Sequence, residues 1–240
     1  MAPEAPPAAS PCVTASKHDR GGLEDPRCLL LDLDGVLVDT RPVMEIAWRA
    51  VQEAHGVNIP FETYQEQLGR PFDDIMARLG LANAEEIHRT YTEASAAASH
   101  LAQEFEGITD VLLAVAADGW SLGVVTSKPL ARATPLLARL GCPFVTVRGP
   151  EGHGRGKPAP DPILLALIDL GADPADAAYV GDMAVDQEAA RRAGVSYIHA
   201  GWGYGRPTGP CPAVADTPRQ LLHLLGVSTP NGPFVEGGLL

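Results

Sequence analysis

The run Cys28-Leu29-Leu30-Leu31-Asp32-Leu33-Asp34-Gly35 decides the fold. Its apolar residues read as a strand buried on both faces, and it ends in two carboxylates and a glycine. Downstream, further strand runs stand at Ser121–Thr126, Phe144–Val147, Ala177–Val180 and Val195–His199. Helical patterns separate most of them, at Thr109–Ala117, Leu130–Leu140, Pro162–Leu170 and Val185–Ala193. Strands alternating with helices predict a parallel sheet with right-handed crossovers. In such sheets a ligand binds at the carboxyl ends of the strands.

The pattern predicts an α/β fold with a Rossmann-like three-layer core over residues 27–43 and 107–226. Residues 44–106 break the rhythm. Ile46, Ala47, Ala50 and Val51, then Ile75, Met76 and Leu79, recur at helical spacing, and no convincing strand stands among them. This predicts an inserted all-helical cap, a lid that governs access and excludes water. Met44 and Trp48 read as packing within it. Residues 1–26, rich in Ala and Pro, read as a disordered leader, and residues 227–240 as a tail with no assigned role. No apolar run reaches the roughly 18 residues that a membrane span needs.

Composition narrows the partners. A chain of 240 residues that is 45% hydrophobic and 20% charged can bury one full core, or one core and a small insertion. Its formal net charge of -12 repels nucleic acid and anionic membranes, so neither is an expected partner. A small anionic substrate is still allowed, because a metal ion and a few cations reverse the potential inside one pocket. The four cysteines, Cys12, Cys28, Cys142 and Cys211, form no CxxC pair. They read as thiols of a reducing compartment, and the cytoplasm is the expected location. The chain is expected as a monomer or homodimer.

Four polar clusters fall where strands should end: Asp32 with Asp34, Thr126-Ser127-Lys128, Lys157 in Gly156-Lys157-Pro158-Ala159-Pro160-Asp161, and Asp182 with Asp186. Carboxylates gathered in one pocket repel unless a hard cation sits among them, and an oxygen-only ligand set favours Mg2+. One carboxylate can attack phosphorus and form an acyl-phosphate that water later cleaves. A second, two residues along a strand, points to the same side and can protonate the leaving alkoxide. Lysine and hydroxyl groups orient the non-bridging oxygens. The set fits phosphoryl transfer to an aspartate from a small-molecule phosphate ester.

These clusters, in this order, resemble the haloacid dehalogenase superfamily across nearly the whole chain after residue 27. The resemblance implies that Asp32 is the nucleophile and Asp34 the general acid/base, with the Asp34 backbone carbonyl on Mg2+. Thr126 matches the second motif and Lys157 the third. Asp32, Asp34 and Asp182 would hold the metal, and Asp186 would stand behind them as partner of the lysine or of metal-bound water. Ser127, Lys128 and Arg70 are candidate substrate contacts. An aspartate at position 34 selects phosphate-ester chemistry, since dehalogenases carry an aromatic residue there and phosphonatases a small one.

Asp39-Thr40-Arg41-Pro42-Val43-Met44, Phe61-Glu62-Thr63-Tyr64 and Leu68-Gly69-Arg70-Pro71-Phe72-Asp73-Asp74-Ile75-Met76 are similar to phosphatases associated with 3-amino-5-hydroxybenzoate (AHBA) biosynthesis, and more broadly to phosphoglycolate phosphatase-like proteins. The narrower similarity implies a phosphorylated sugar or aminosugar from antibiotic biosynthesis as substrate. Two other functions are weighed beside it. A sugar phosphomutase of the β-phosphoglucomutase type would carry a histidine where Met44 stands and a cap arginine where Phe72 stands. A non-catalytic binding module would be expected to have lost Asp32.

Single features also have plainer readings. Asp161 is expected to cap the helix that opens at Pro162. Lys128 reads as a surface lysine at least as readily as a phosphate ligand, and Arg70 is divided between a surface salt bridge and a substrate oxyanion. His153, between glycines, reads as a loop residue, and Gly201-Trp202-Gly203-Tyr204-Gly205 as a turn packed by aromatics.

Overall fold

β1 (Cys28–Leu31) is a strand of four residues with no exposed position, as its unbroken apolar run requires. The computed structural model describes residues 27–150, 155–210 and 213–228. Most of the expected leader and tail, together with Cys12, His153 and Cys211, lies outside the described residues. After β1 come β2 (Val38–Asp39) and four helices: α1 (Arg41–His55), α2 (Phe61–Gln65), α3 (Phe72–Arg78) and α4 (Ala84–Ala97). β3 (Gln103–Glu104), α5 (Ile108–Ala117), β4 (Ser121–Val125), α6 (Leu130–Leu140) and β5 (Phe144–Arg148) follow. The chain continues through α7 (Asp161–Leu170), β6 (Ala177–Gly181), α8 (Ala184–Ala193), β7 (Ser196–Ala200), β8 (Val214–Ala215) and α9 (Gln220–Leu224).

Six strands form one parallel sheet in the order β5-β4-β1-β6-β7-β8. β1 lies inside it, paired with β4 on one side and β6 on the other, so the strand order reverses next to β1. That reversal opens a crevice at the carboxyl end of β1. Side chains alternate across the strand. Leu29 and Leu31 join the apolar residues of α5, α6 and α9, while Cys28 and Leu30 join those of α7 and α8. The two clusters on opposite faces are the physical content of three layers. A fully buried leucine contributes about 2 kcal/mol to such a cluster.

α1 to α4 share a third cluster, centred on Trp48, Tyr64, Met76 and Tyr91. Trp48 stacks on Tyr64 at 4.3 Å between ring centroids and donates its indole N–H to the Ile59 carbonyl at 2.8 Å. Met44 and Trp48 are buried there. α1 opens at Arg41, three residues ahead of the expected break at Met44, because Pro42 suits a first helical turn.

Three local readings are corrected. The stretch up to Glu106 does hold a strand: Gln103–Glu104 pairs antiparallel with Val38–Asp39. Two residues carry no periodicity, so sequence gave no signal for it. Pro160, not Asp161, holds the position before α7, and Asp161 is the first residue of that helix. Its Oδ1 accepts the backbone N–H of Arg155 at 3.1 Å, because the loop folds back over the helix start. Val227, read as the first residue of the tail, is buried in the cluster with α9. No helix of the described residues is long and apolar enough to cross a membrane.

Candidate active site

The crevice beside β1 collects the strand-end residues. β1 stops at Leu31, so Asp32 is the first residue beyond it, and its N–H still bonds the Val180 carbonyl of β6 at 2.9 Å. Asp32 is thereby tied to the sheet and is only 3% exposed. Its Oδ1 accepts the Leu33 N–H at 2.7 Å, and its Oδ2 lies 3.0 Å from Lys157 Nζ. Asp34 is off the strand, so pleat alternation does not set its direction. Gly35, at φ +80, turns the chain, and a Cβ there would stand 2.3 Å from Asp182 Oδ2. The Asp34 carboxylate is then fixed by Lys128 Nζ at 3.0 Å and by the Thr40 hydroxyl, which donates at 2.5 Å.

Lys157 is 1% exposed and bridges two carboxylates, with Asp186 Oδ1 at 2.7 Å and Asp32 Oδ2 at 3.0 Å. Burial works against its charge, but Asp186 and Asp32 outweigh that and hold its pKa above the ordinary lysine value. Burial pushes Asp32 up to about 7 despite Lys157, with Asp186 and Asp34 adding to the rise. Asp182 is raised too, by burial first and then by Asp186 and Asp32, against the Tyr204 N–H and Lys157.

Asp32, Asp182 and Asp186 bring ligand atoms within 4.8 Å of one another. Asp186 is fully engaged: Oδ1 accepts from Lys157 and from the Tyr179 hydroxyl at 2.9 Å, and Oδ2 accepts the Met183 N–H at 3.0 Å. Asp182 differs. Its Oδ2 accepts the Tyr204 N–H at 2.7 Å, while its Oδ1 is buried with no partner. A buried carboxylate oxygen without a donor is costly, and a hard cation would satisfy it. The all-oxygen donor set fits Mg2+, with Asp32 and Asp182 supplying free capacity and Asp186 holding the lysine.

Ser127 and Lys128 follow β4, and Thr126 Oγ1 accepts the Lys128 N–H at 3.1 Å. Lys128 is buried against Asp34, not solvated, because the loop before Pro129 turns it inward. Ser127 donates to the Gly69 carbonyl at 2.6 Å, which links this loop to the segment between α2 and α3. Arg70 lies 3.4 Å from Asp74 and also lines a cavity of about 220 Å³ with Asp34, Tyr64, Phe72, Ser127 and Lys128. The cavity therefore joins the two readings of Arg70. Met44 lines it as well.

Three contributors escaped the sequence. The Tyr179 hydroxyl sits under Lys157 and bonds Asp186, yet within an apolar strand run nothing marks it as polar machinery. Tyr204 holds Asp182 through its backbone N–H and the start of α1 through its hydroxyl, so Gly201–Gly205 is more than a packed turn. The alternating glycines were a usable signal: a Cβ on Gly203 would lie 2.3 Å from the Asp182 Cβ. Arg132, from α6, donates to Ser95 Oγ of α4 at 2.6 Å and lies over the Tyr91 ring at 5.5 Å.

The family model described as haloacid dehalogenase-like hydrolase matches residues 29–200. The chain is 35% identical over 213 residues to a phosphoglycolate phosphatase, plasmid, of Cupriavidus necator, covering 82% of this chain and 90% of that one. It is 31% identical over 220 residues to the N-acetylmuramic acid 6-phosphate phosphatase of Pseudomonas aeruginosa, covering 83% and 94%. A solved hydrolase from Pseudomonas syringae has the same fold, with a TM-score of 0.75 at 22% identity over 85% of this chain and 100% of that one. These matches, over the same residues that build the crevice, place the chain in the haloacid dehalogenase-like hydrolase family, as one of its phosphoric monoester hydrolases.

Proposed function

We propose that the protein is a Mg2+-dependent phosphomonoesterase that works through a phospho-Asp32 on small phosphorylated metabolites. The carrying observation is the placement of Asp32, held by Lys157 and beside the unpartnered Asp182 Oδ1, across from an Asp34 carboxylate held by Lys128 and Thr40. Asp32 attacks phosphorus as the ester bond breaks, and Asp34 gives a proton to the departing alkoxide. Water then attacks the acyl-phosphate, loses its proton to Asp34, and releases phosphate with Asp32 restored. Lys157 neutralises the developing charge, and Thr126, Ser127 and Lys128 orient the phosphoryl oxygens. Mg2+, held by Asp32, Asp182 and the Asp34 carbonyl, would supply charge neutralisation between nucleophile and phosphate.

α1 to α4 act in this reading as the cap domain, closing over the crevice and limiting substrates to small molecules. Arg70 takes a substrate oxyanion. A sugar, aminosugar or hydroxy-acid phosphate fits the cavity, and the similarity of residues 39–44, 61–64 and 68–76 to phosphatases of AHBA biosynthesis favours the aminosugar within an antibiotic route. Met44 and Phe72 at the cavity favour hydrolysis over phosphoryl return to a second hydroxyl. The cytoplasm is its proposed location.

The test is phosphate release from a panel of aminosugar phosphates, hexose phosphates, phosphoglycolate and β-glucose 1-phosphate, with Mg2+ and with chelator. Asp32→Asn is expected to lose at least about a thousand-fold in turnover while staying folded. Isomerisation of glucose 1-phosphate without phosphate release would overturn hydrolysis, and an active Asp32→Asn would overturn the phospho-enzyme.

A further inference from the structure

A second cavity, of about 340 Å³, opens between α1, α4 and α6, and Lys128 and Arg132 line both it and the first cavity. Its volume lies within the range of about 300–1,000 Å³ common to small-ligand sites. Its lining charges share one sign: Lys128, Arg132 and Arg139 face it, with no lining carboxylate, and His100 adds an imidazole. Thr40, Ser95 and Ser99 add hydroxyl groups. That grouping is opposite in sign to the chain's net charge of -12.

Lys128 is paired with Asp34, but the two arginines are underused. Among the described residues neither Arg132 nor Arg139 has a carboxylate within ion-pair distance, a condition they share with Arg49, Arg89 and Arg206, but of these only Arg132 and Arg139 line this cavity. Arg132 is held by Ser95 and Tyr91, which position the guanidinium without neutralising it. His100 uses Nδ1 on the Ala97 carbonyl at 3.1 Å. An adjoining cavity shares Leu136 and Arg139 and includes Glu104, but Glu104 accepts from Thr109 at 2.5 Å.

We propose that this cavity is a second oxyanion site, which takes a phosphate or carboxylate group between Arg132 and Arg139 and acts on Asp34 through Lys128 and Thr40. Those two residues line the cavity and also hold the Asp34 carboxylate, at 3.0 and 2.5 Å. An oxyanion there draws Lys128 Nζ from Asp34 and loosens the group that delivers the proton. The anion has two sources: free inorganic phosphate, or the distal anionic group of a substrate longer than the first cavity. The coupling to Asp34 rests on the function proposed above; the binding does not.

The experiment compares wild type with Arg139→Glu and the milder Arg139→Gln, reading inhibition patterns and ratios between substrates. Inorganic phosphate is expected to lower Vmax of wild type as well as raise KM, and the Vmax component to weaken by roughly three- to ten-fold in Arg139→Glu. That outcome assigns the site to free phosphate. A KM increase of similar size confined to esters with a distal carboxylate or second phosphate assigns it to the substrate tail. Competitive inhibition alone, with no ester distinguished by the variants, overturns the proposal. Should no ester be hydrolysed, the proposed function fails separately. Calorimetric titration of inorganic phosphate then decides, expecting one fewer site in Arg139→Glu, while identical isotherms would sink the second site.

Discussion

Asp182 concentrates the electrostatic cost of the site. It is fully buried with ligand atoms of two other carboxylates within 4.8 Å, makes no ion pair among the described residues while Lys157 bridges the other two, and leaves Oδ1 without a donor. Replacing it with the neutral isostere removes like-charge repulsion, so Asp182→Asn is expected to raise the melting temperature of the chelated protein. The shift is about 2–4 °C for each kcal/mol recovered. Mg2+ at about a hundred times its dissociation constant stabilises wild type by roughly 2.7 kcal/mol, and the variant should lose most of that. Thermal melts of both proteins with Mg2+ and with chelator check this; an equal Mg2+ shift in the two would show that the metal does not use Asp182. At this scale much of the site was legible, because Asp32, Thr126, Lys157 and Asp182 each follow or precede a recognisable element. The direction of Asp34 and the burial of Lys128 were not, since loop geometry sets both.

α1 begins without a side-chain cap of its own, although the first amides of a helix need acceptors. Tyr204 fills that place from the loop after β7. Its hydroxyl accepts the Thr40 N–H at 2.7 Å and the Arg41 N–H at 3.1 Å, and donates to Asp39 Oδ1 at 2.9 Å. Asp39 Oδ1, two residues before Arg41, shares that N–H at 3.1 Å, but the acceptor of the Thr40 N–H comes from 164 residues away, so no local pattern could announce it. Tyr204→Phe should cost about 1–2 kcal/mol, within the range for a lost cap. It should also speed hydrogen exchange at Thr40, and less at Arg41, which keeps Asp39 Oδ1, relative to the sheet. Denaturant midpoints and exchange rates measure both, and unchanged protection at those amides would refute the capping role. The main strands and helices were legible because each is long enough to show its period. β2, β3 and β8 have two residues apiece and fall below that length.

Across the whole molecule, buried titratable groups set the pH dependence of stability. His199 lies in β7, 2% exposed, and burial lowers its pKa below 6.5 despite the Gly205 backbone and Asp186. Its imidazole stays neutral in the fold where the unfolded chain would take a proton. Its contribution is therefore fully present above pH 6.5 and is lost as pH falls below it, by at most about 1.4 kcal/mol per pH unit. Asp32 and Asp182, raised by burial, act with the opposite sign and lose stability as pH rises from 3.8. The histidine is isolated by difference: wild type minus His199→Gln should fall between pH 6.5 and 5 in matched chelator, and a flat difference would dismiss it. The sequence by itself determined the α/β class, the helical run between the first long strand and the second, and the gathering of acidic and basic residues at strand ends. It could do so because hydrophobic period and strand polarity are local properties. Only the tertiary structure decided which oxygen of Asp182 lacks a partner, that Tyr204 caps α1, and that Arg132 and Arg139 face one cavity. Those depend on distances between residues far apart in the chain, which no local pattern encodes.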